Sequence, residues 1–502
     1  MNEVILDHRN INCEEVRKTD ADRLSCEGVL PLKGRVEPWM QSACNSGALH
    51  QWVQRYGSPL NVVHSEPLQR NIRQFSDVAG SRQLDFQVFF ARKANKCATF
   101  VDAANQMGAG IDTASEIELR QALQCGVPSH RIICTAAIKS TQLLRLCVDS
   151  QVTIAIDNAD EFLALKTLAA DKQMQANIAL RLSGFQHANA KLESRFGFDV
   201  NEVMPFVFKH LSNAADDHLR IQGLHFHLDR YSAGQRVSAI QETLKVIQGL
   251  RNVGHCPSFI DIGGGIPMSY LESENQWEDF WREHRRALLD QRTPITYRNH
   301  SLGLNVVHGE IFGQAHCYPF FQRLVGADWL AQILDSDCAG QTIAEAINGY
   351  KLQLRCEPGR SLLDGCGMTI ARVEFRKQTP QGDWLIGLSM NGTQCRTSSD
   401  DFMVDPLLVR SPETLEKSNG VTDNSLEGYL VGASCTESDL LIQRKLRFSG
   451  NLHPGDLIVF PNTAGYFMHF LESRTHLFPL ARNIVLPREA NEPPRLDAID
   501  AE

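Results

Sequence analysis

From Leu60 to Glu357 the chain alternates short apolar runs with longer amphipathic stretches, and this rhythm leaves few folds open. Leu60–His64 reads as a strand. Beyond it, Gln87–Ala91, Ala109–Asp112, Arg131–Thr135, Thr153–Asp157, Asn177–Leu182, Gly223–His227, Phe259–Ile262 and Leu352–Glu357 have the length and residue types of buried strands. Helical segments such as Ser115–Cys125 and Ser232–Val253 stand between most of them. Such alternation implies parallel strands joined by crossover helices. It predicts a (β/α)8 barrel, with a doubly wound sheet as the other solution.

The flanks have a different texture. Residues 1 to about 36 show little periodicity and read as an extension or an early strand of a second domain. Glu37–Tyr56 is helical in pattern, and Gly57-Ser58-Pro59 ends it. After Arg360, apolar runs alternate with turns (Gly367–Phe375, Trp384–Ser389, Gly428–Gly432, Asp456–Phe460, Ala481–Leu486), as in an antiparallel β barrel or sandwich. The expected division is 1–59 as an N-terminal segment contributing to the β domain, 60–365 as the barrel, 366–486 as the β domain and 487–502 as a loose tail. An insertion at about 270–350, covering the barrel mouth, is read from the long interval between Gly265 and Glu357. That interval contains Trp277, Phe280 and Trp281, then a Gly/His/Pro-dotted run from Arg298 to Pro319.

Composition narrows the partners. A formal net charge of -9 without a long basic run argues against nucleic acid or an anionic membrane, and no apolar stretch reaches the length of a membrane span. Met1–His8 lacks the basic start and apolar core of a signal peptide. The fourteen cysteines include no CxxC pair, which fits a reducing cytoplasm better than a disulfide scaffold or structural zinc.

Several strand ends carry chemistry. Lys93 follows the run Gln87–Ala91, at the end of a strand where a parallel barrel places its active site. Partial burial there lowers a lysine pKa and frees the amine as a nucleophile toward an aldehyde; the plain alternative is a strand end meeting water. Gly263-Gly264-Gly265 lets backbone N–H groups approach a phosphate, although a tight turn uses the same residues. The run does not match G-x-G-x-x-G, which disfavours a dinucleotide. Glu357 and Arg360, in Cys356-Glu357-Pro358-Gly359-Arg360, offer a carboxylate for a protonated ring nitrogen and a guanidinium for a phosphate, or a structural salt bridge. His225 and His227 alternate on one strand face; no acidic or thiol partner stands at a familiar spacing, so no metal is assigned and a histidine stacked on a cofactor ring fits better. Cys435, within Gly432–Asp439, is either a proton donor or a packing thiol. Tyr466 follows Ala464-Gly465 and offers a phenol to a phosphate or to whatever lies near.

Taken together these segments resemble the fold-type III pyridoxal phosphate decarboxylases, the group of diaminopimelate, ornithine and arginine decarboxylases. The resemblance runs in register from about Arg55–Leu60 to Ala464-Gly465-Tyr466. It implies an alanine racemase-like barrel with a C-terminal β domain, pyridoxal 5'-phosphate as cofactor, and a homodimer with shared active sites. Lys93 would form the internal aldimine, with Asp112 near it and Arg181 near the cofactor; Arg195-Phe196-Gly197 is similar to the family's Lys-Phe-Gly. His227 would stack on the pyridine ring and Glu357 would bind its nitrogen. Gly263, Gly264, Gly265, Gly359, Arg360 and Tyr466 would hold the phosphate. Cys435 would reach the partner's site, and Cys435 or Lys93 would return a proton after CO2 leaves.

Two stretches depart from the family pattern. Leu228-Asp229-Arg230-Tyr231-Ser232 stands where Gly-Ser usually supplies a phosphate ligand, which leaves Ser232 as the candidate. Thr436 stands where an acid usually follows the cysteine, with Glu437 and Asp439 as neighbouring candidates for substrate contact. The implied substrate is a basic or diamino acid, L or D: lysine, ornithine, diaminopimelate or a larger amine-bearing analogue. An amino-acid racemase on the same fold and a non-catalytic homologue that regulates a decarboxylase are the competing functions. Glu357 argues against the first; Lys93, Gly263–Gly265 and Arg360 argue against the second.

Overall fold

The computed structural model describes residues 26–211, 218–397, 402–417, 425–448, 452–487 and 492–501. Most of the expected N-terminal extension, including Met1–His8, lies outside the described residues, as do 488–491 and 502 of the expected tail.

The barrel is closed. Its parallel strands are β1 (Phe86–Ala91), β2 (Gly110–Thr113), β3 (Ile132–Cys134), β4 (Thr153–Ile156), β5 (Ala176–Ser183), β6 (Leu219–Phe226), β7 (Phe259–Asp261) and β8 (Gln353–Cys356). Each pairs with the next, and β8 returns to β1. All correspond to strands expected from the sequence. Runs such as Ile132–Cys134 and Thr153–Ile156 are buried throughout, as strands covered on both faces must be. Side-chain caps fix where the helices restart after the strands: Ser115 Oγ accepts from Glu118 N–H, Ser140 Oγ from Leu143, Asn158 Oδ1 from Glu161 and Ser232 Oγ from Gln235.

The second sheet is built around Gly367–Gln378, which pairs antiparallel with Trp384–Leu388, Leu60–Val63 and Leu457–Phe460. Leu60–Val63 therefore lies outside the barrel, which corrects the expected boundary at residue 60. Its buried run marks a strand, but a strand pattern does not say which sheet receives it. Cys26–Gly28 joins the same sheet beside Leu446–Phe448. The sheet is mostly antiparallel, with two parallel exceptions: Leu60–Val63 beside Arg482–Val485, and Trp384–Gly387 beside Gly428–Val431. The single helix expected over Glu37–Tyr56 is two, Pro38–Asn45 and Ala48–Tyr56, separated at Gly47, whose φ of 71° breaks the helical path.

The insertion is narrower than expected. Helix Glu274–Leu288 and the hairpin of Leu304–Val307 with Glu310–Gly313 stand apart from the barrel. Phe280, Trp281, Leu304 and Phe320 pack into one apolar core with Val373, Leu388 and Phe402 of the second domain. Gly326–Leu334 and Ile343–Gly349 return to the barrel wall, where Trp329, Ile333 and Ile347 join the barrel core.

The expected loose tail is corrected over 492–501. Arg495–Leu496 pairs with Ile484–Val485. The Asp497 carboxylate accepts from Ala98 N–H at 2.9 Å and Thr99 N–H at 3.0 Å, capping helix Ala98–Gln106, whose own N-cap residue Cys97 makes no side-chain cap. Asp497→Ala is expected to cost about 1–2 kcal/mol, the range for a lost cap. A lowered thermal unfolding midpoint would show it.

Candidate active site

Lys93 lies in the turn Arg92–Ala94 directly after β1, with its side chain a third exposed. The register of β1 on β2 sets Ala91 beside Asp112, and Lys93 Nζ reaches Asp112 Oδ2 at 2.8 Å. Thr135 donates to the other oxygen of Asp112, so this buried carboxylate is held from two strands. Arg92 turns the opposite way and donates to the Asn95 and Lys96 carbonyls and to Gln121 Oε1, fixing the turn. The expected lowering of the Lys93 pKa is corrected: burial acts in that direction, but Asp112 and Glu357 outweigh it and hold the ammonium form well above the usual lysine range.

Opposite stands a layer of buried acid and imidazole. Glu357, at the end of β8, is 2% exposed, and its Oε1 lies 3.3 Å from His225 Nε2 on β6. Asp261 on β7 completes a group whose ligand-type atoms all fall within 4.8 Å of one another. Gly263 N–H donates to Asp261 Oδ1. His225 Nδ1 and Nε2, Asp261 Oδ2 and Glu357 Oε1 have no hydrogen-bond partner among the described residues. Burial, with Asp112 nearby, pushes the Glu357 pKa up to about 8; burial and Glu357 push Asp261 to about 7; burial holds His225 down at about 4.

The remaining expected residues surround the same mouth. Arg181 on β5 pairs with Asp157 at 3.3 Å, and Asp157 also accepts from Gly197 N–H. The guanidiniums of Arg181 and Arg195 lie 4.1 and 4.0 Å from the Phe196 ring centre, so Arg195-Phe196-Gly197 is tied to β5. His227 Nδ1 accepts from Gly264 N–H at 3.1 Å. Burial and the nearby Lys93 charge hold its pKa well below the ordinary value, leaving it neutral. Arg360 donates to Tyr270 Oη at 2.7 Å and to the Gly465 carbonyl, and it stacks 4.2 Å from the Tyr318 ring centre. Tyr466 comes from the second domain, and its N–H donates to the Ala94 carbonyl beside Lys93. A cavity of about 250 Å³ opens between His227, Arg230, Gly265, Gly359, Arg360 and Tyr466.

The mouth fits pyridoxal phosphate. Glu357 Oε1 is a buried acceptor without a hydrogen-bond partner among the described residues, the kind of group a protonated ring nitrogen would satisfy. A Cβ at Gly264 would stand 2.7 Å from the Glu357 carbonyl and one at Gly359 2.7 Å from Tyr466 Oη, so close backbone approach is required at both turns. The Gly263 and Gly264 N–H groups are held by Asp261 and His227, while Arg360 lines the cavity beside Gly265 and Gly359 and offers a guanidinium against tight glycine turns, which suits a phosphate.

Four expected residues stand elsewhere. Cys435 is exposed in the 432–439 loop. Asp439 holds that loop, accepting from Gly392 and Ser434 N–H groups; Glu437 pairs with Arg298; Thr436 Oγ1 meets Ser438 Oγ. Ser232 serves as the cap of helix Ala233–Asn252: its Oγ accepts from Gln235 N–H, a bond that leaves the hydroxyl's own proton for a further acceptor. Thr135, Asp157, Asp261 and Arg236 were missed. The signal for the two aspartates was their position at strand ends, beside the residues already singled out.

Comparison with known proteins agrees with this geometry. The family model of the pyridoxal-dependent decarboxylase pyridoxal-binding domain matches residues 66–300. The chain is 30% identical over 452 residues to the uncharacterized protein y4yA of Sinorhizobium fredii, covering 89% of this chain and 92% of that protein. It is 24% identical over 403 residues to diaminopimelate decarboxylase of Halalkalibacterium halodurans, covering 77% of each. The crystal structure of diaminopimelate decarboxylase from Helicobacter pylori complexed with L-lysine superposes with a TM-score of 0.64 at 17% identity, over 89% of this chain and 95% of that one. Fold and mouth thus define a carboxy-lyase dependent on pyridoxal 5'-phosphate. The chain belongs to the fold-type III pyridoxal phosphate decarboxylases, the family that includes diaminopimelate, ornithine and arginine decarboxylases.

The buried acids predict a pH signature. The folded Glu357 pKa of about 8 lies above the ordinary 4.5, so the folded apoprotein keeps a proton that the unfolded chain releases. That contribution to stability is full below 4.5 and is lost as pH rises through 8. Asp261 acts in the same sense up to about 7, and His225 opposes it only below 6.5. Between pH 6.5 and 8 the thermal midpoint is expected to fall. Glu357→Gln is expected to flatten that fall in calorimetry.

Proposed function

We propose that this chain removes CO2 from a basic or diamino acid (lysine, ornithine, diaminopimelate or a larger amine-bearing analogue, L or D), acting as a homodimer in the cytoplasm. The observation that carries the reading is Glu357, an acid buried just past a barrel strand on the side of the mouth where Lys93 stands, whose Oε1 has no hydrogen-bond partner among the described residues. When bound, pyridoxal phosphate supplies an aldehyde for the substrate amine and a ring that accepts the electron pair left by CO2.

In this reading Asp112 and Arg181, each fixed from a neighbouring strand, set the charge and position of Lys93 and of the ring edge. His227 would lie against the ring, Glu357 would keep the ring nitrogen protonated, and Gly263–Gly265, Gly359, Arg360 and Tyr466 would take the phosphate. Lys93 exchanges a proton with the substrate amine. Cys435 enters the partner's mouth and donates a proton there, with Thr436, Glu437 and Asp439 framing the distal end of the substrate. Support for a subunit contact comes from the exposed loop of Cys435 and from the exposed apolar side chain of Phe470 at the cavity. No helix among the described residues is long and apolar enough to cross a membrane. A racemase would need a base opposite Lys93 and an arginine against the ring nitrogen. The nearby Arg181 is paired with Asp157.

The test is CO2 release from L- and D-lysine, ornithine, arginine and meso-diaminopimelate with added pyridoxal phosphate. Lys93→Ala is expected to abolish turnover and the visible absorbance of bound cofactor while remaining folded. Retention of both would sink the assignment. Glu357→Gln is expected to lower kcat by about 100-fold, at the lower end of what a proton-handling group contributes. Mixing Lys93→Ala with Cys435→Ala subunits is expected to restore part of the turnover that each lacks. Failure of that complementation would place Cys435 outside the chemistry.

A further inference from the structure

Helix Ala233–Asn252 begins beside the cavity and carries Arg236 in its first turn. Arg236 is 0% exposed. Its Nη2 donates to the Leu228 carbonyl at 2.9 Å and the Gly264 carbonyl at 3.4 Å, so one guanidinium ties together the two loops that line the cavity. Trp329 lies to one side, 5.5 Å from ring centre to guanidinium carbon. Nε and Nη1 have no hydrogen-bond partner among the described residues. Nor does any carboxylate form an ion pair with Arg236 among them.

A buried cation without an acid is unfavourable and calls for a counter-charge. Burial holds the Arg236 pKa down at about 10, with Asp229 and Tyr231 acting in the other direction. The glycine turn is shaped around it: a Cβ at Gly265 would stand 2.4 Å from Nη2. The N-terminal end of the helix, with its partial positive charge, lies at the same place. Arg360, the other cation of the cavity, is already engaged by Tyr270 Oη and the Gly465 carbonyl.

We propose that Arg236 is the buried counter-charge of the phosphate site. The inference rests on the proposed binding of pyridoxal phosphate in this cavity. Arg236 is a positioning residue: it holds the Gly263–Gly265 and Leu228–Tyr231 backbones together and lends them a fixed positive charge. An incoming phosphate dianion would then meet a glycine turn backed by a cation within a poorly screened interior.

The experiment compares pyridoxal 5'-phosphate with pyridoxal, the same ring without its phosphate. Both are titrated into apoprotein of the wild type, Arg236→Met and Arg236→Lys, followed by absorbance, with circular dichroism as the check on folding. Arg236→Met is expected to weaken pyridoxal phosphate by about 10- to 100-fold, the range for a charge-assisted interaction, while leaving pyridoxal unchanged. Arg236→Lys keeps the charge and is expected to fall between. Equal weakening of both ligands would mean a merely structural role and overturn the inference, as would unchanged binding of both. If Arg236→Met does not fold, Arg236→Lys decides on the same comparison. A wild type that binds the two ligands equally would overturn the phosphate-site reading itself, and this inference with it.

Discussion

The contact between Lys93 and Asp112 sets the terms for everything around it. An ammonium and a carboxylate meet at the barrel mouth because β1 and β2 are parallel neighbours in a register that brings Ala91 opposite Asp112. Thr135 holds the carboxylate from β3, and Arg92 braces the turn from behind. Through the Tyr466 N–H to Ala94 carbonyl bond, the second domain touches the same turn. The lysine is thus positioned by three strands and by a second sheet, and its charge state follows from that company more than from its own burial.

The barrel was legible because parallel strands buried on both faces leave an unmistakable trace: continuous apolar runs, each closed by a residue able to start a helix. Strand membership was less legible. Leu60–Val63 has the same texture as β4, and only pairing with Gly367–Ile370 reveals its sheet. Of the site, Lys93, His227 and Glu357 stood out at strand ends, and Asp112 through the family resemblance. Arg236 did not, since a helical arginine gives no sign in sequence that it points inward under a glycine turn. Asp497 was equally hidden, because its partners lie in a helix far back along the chain. Side chains whose work is to satisfy remote backbone groups carry no local pattern.

The insertion shows how one guanidinium can organise three segments. Arg360 follows β8, Tyr270 and Tyr318 belong to the stretch around the added helix, and Phe467 comes from the second domain. The aromatic rings screen the cation from water and fix its direction. This arrangement explains why the added residues merge with the second domain's core while still touching the mouth.

The second sheet draws on both flanks of the barrel: Cys26–Gly28 and Leu60–Val63 from before it, Arg482–Val485 from well after it. The barrel strands, by contrast, follow one another in chain order from β1 to β8, with the insertion before β8 as the one excursion into the second domain. During synthesis the barrel can therefore close while its early companions wait without partners, and the sheet can form only once the late strands emerge. Tyr466 and Asp497 come with that last portion. The order of emergence from the ribosome makes assembly of the mouth a final event, so an incomplete chain presents the lysine without the wall that encloses it.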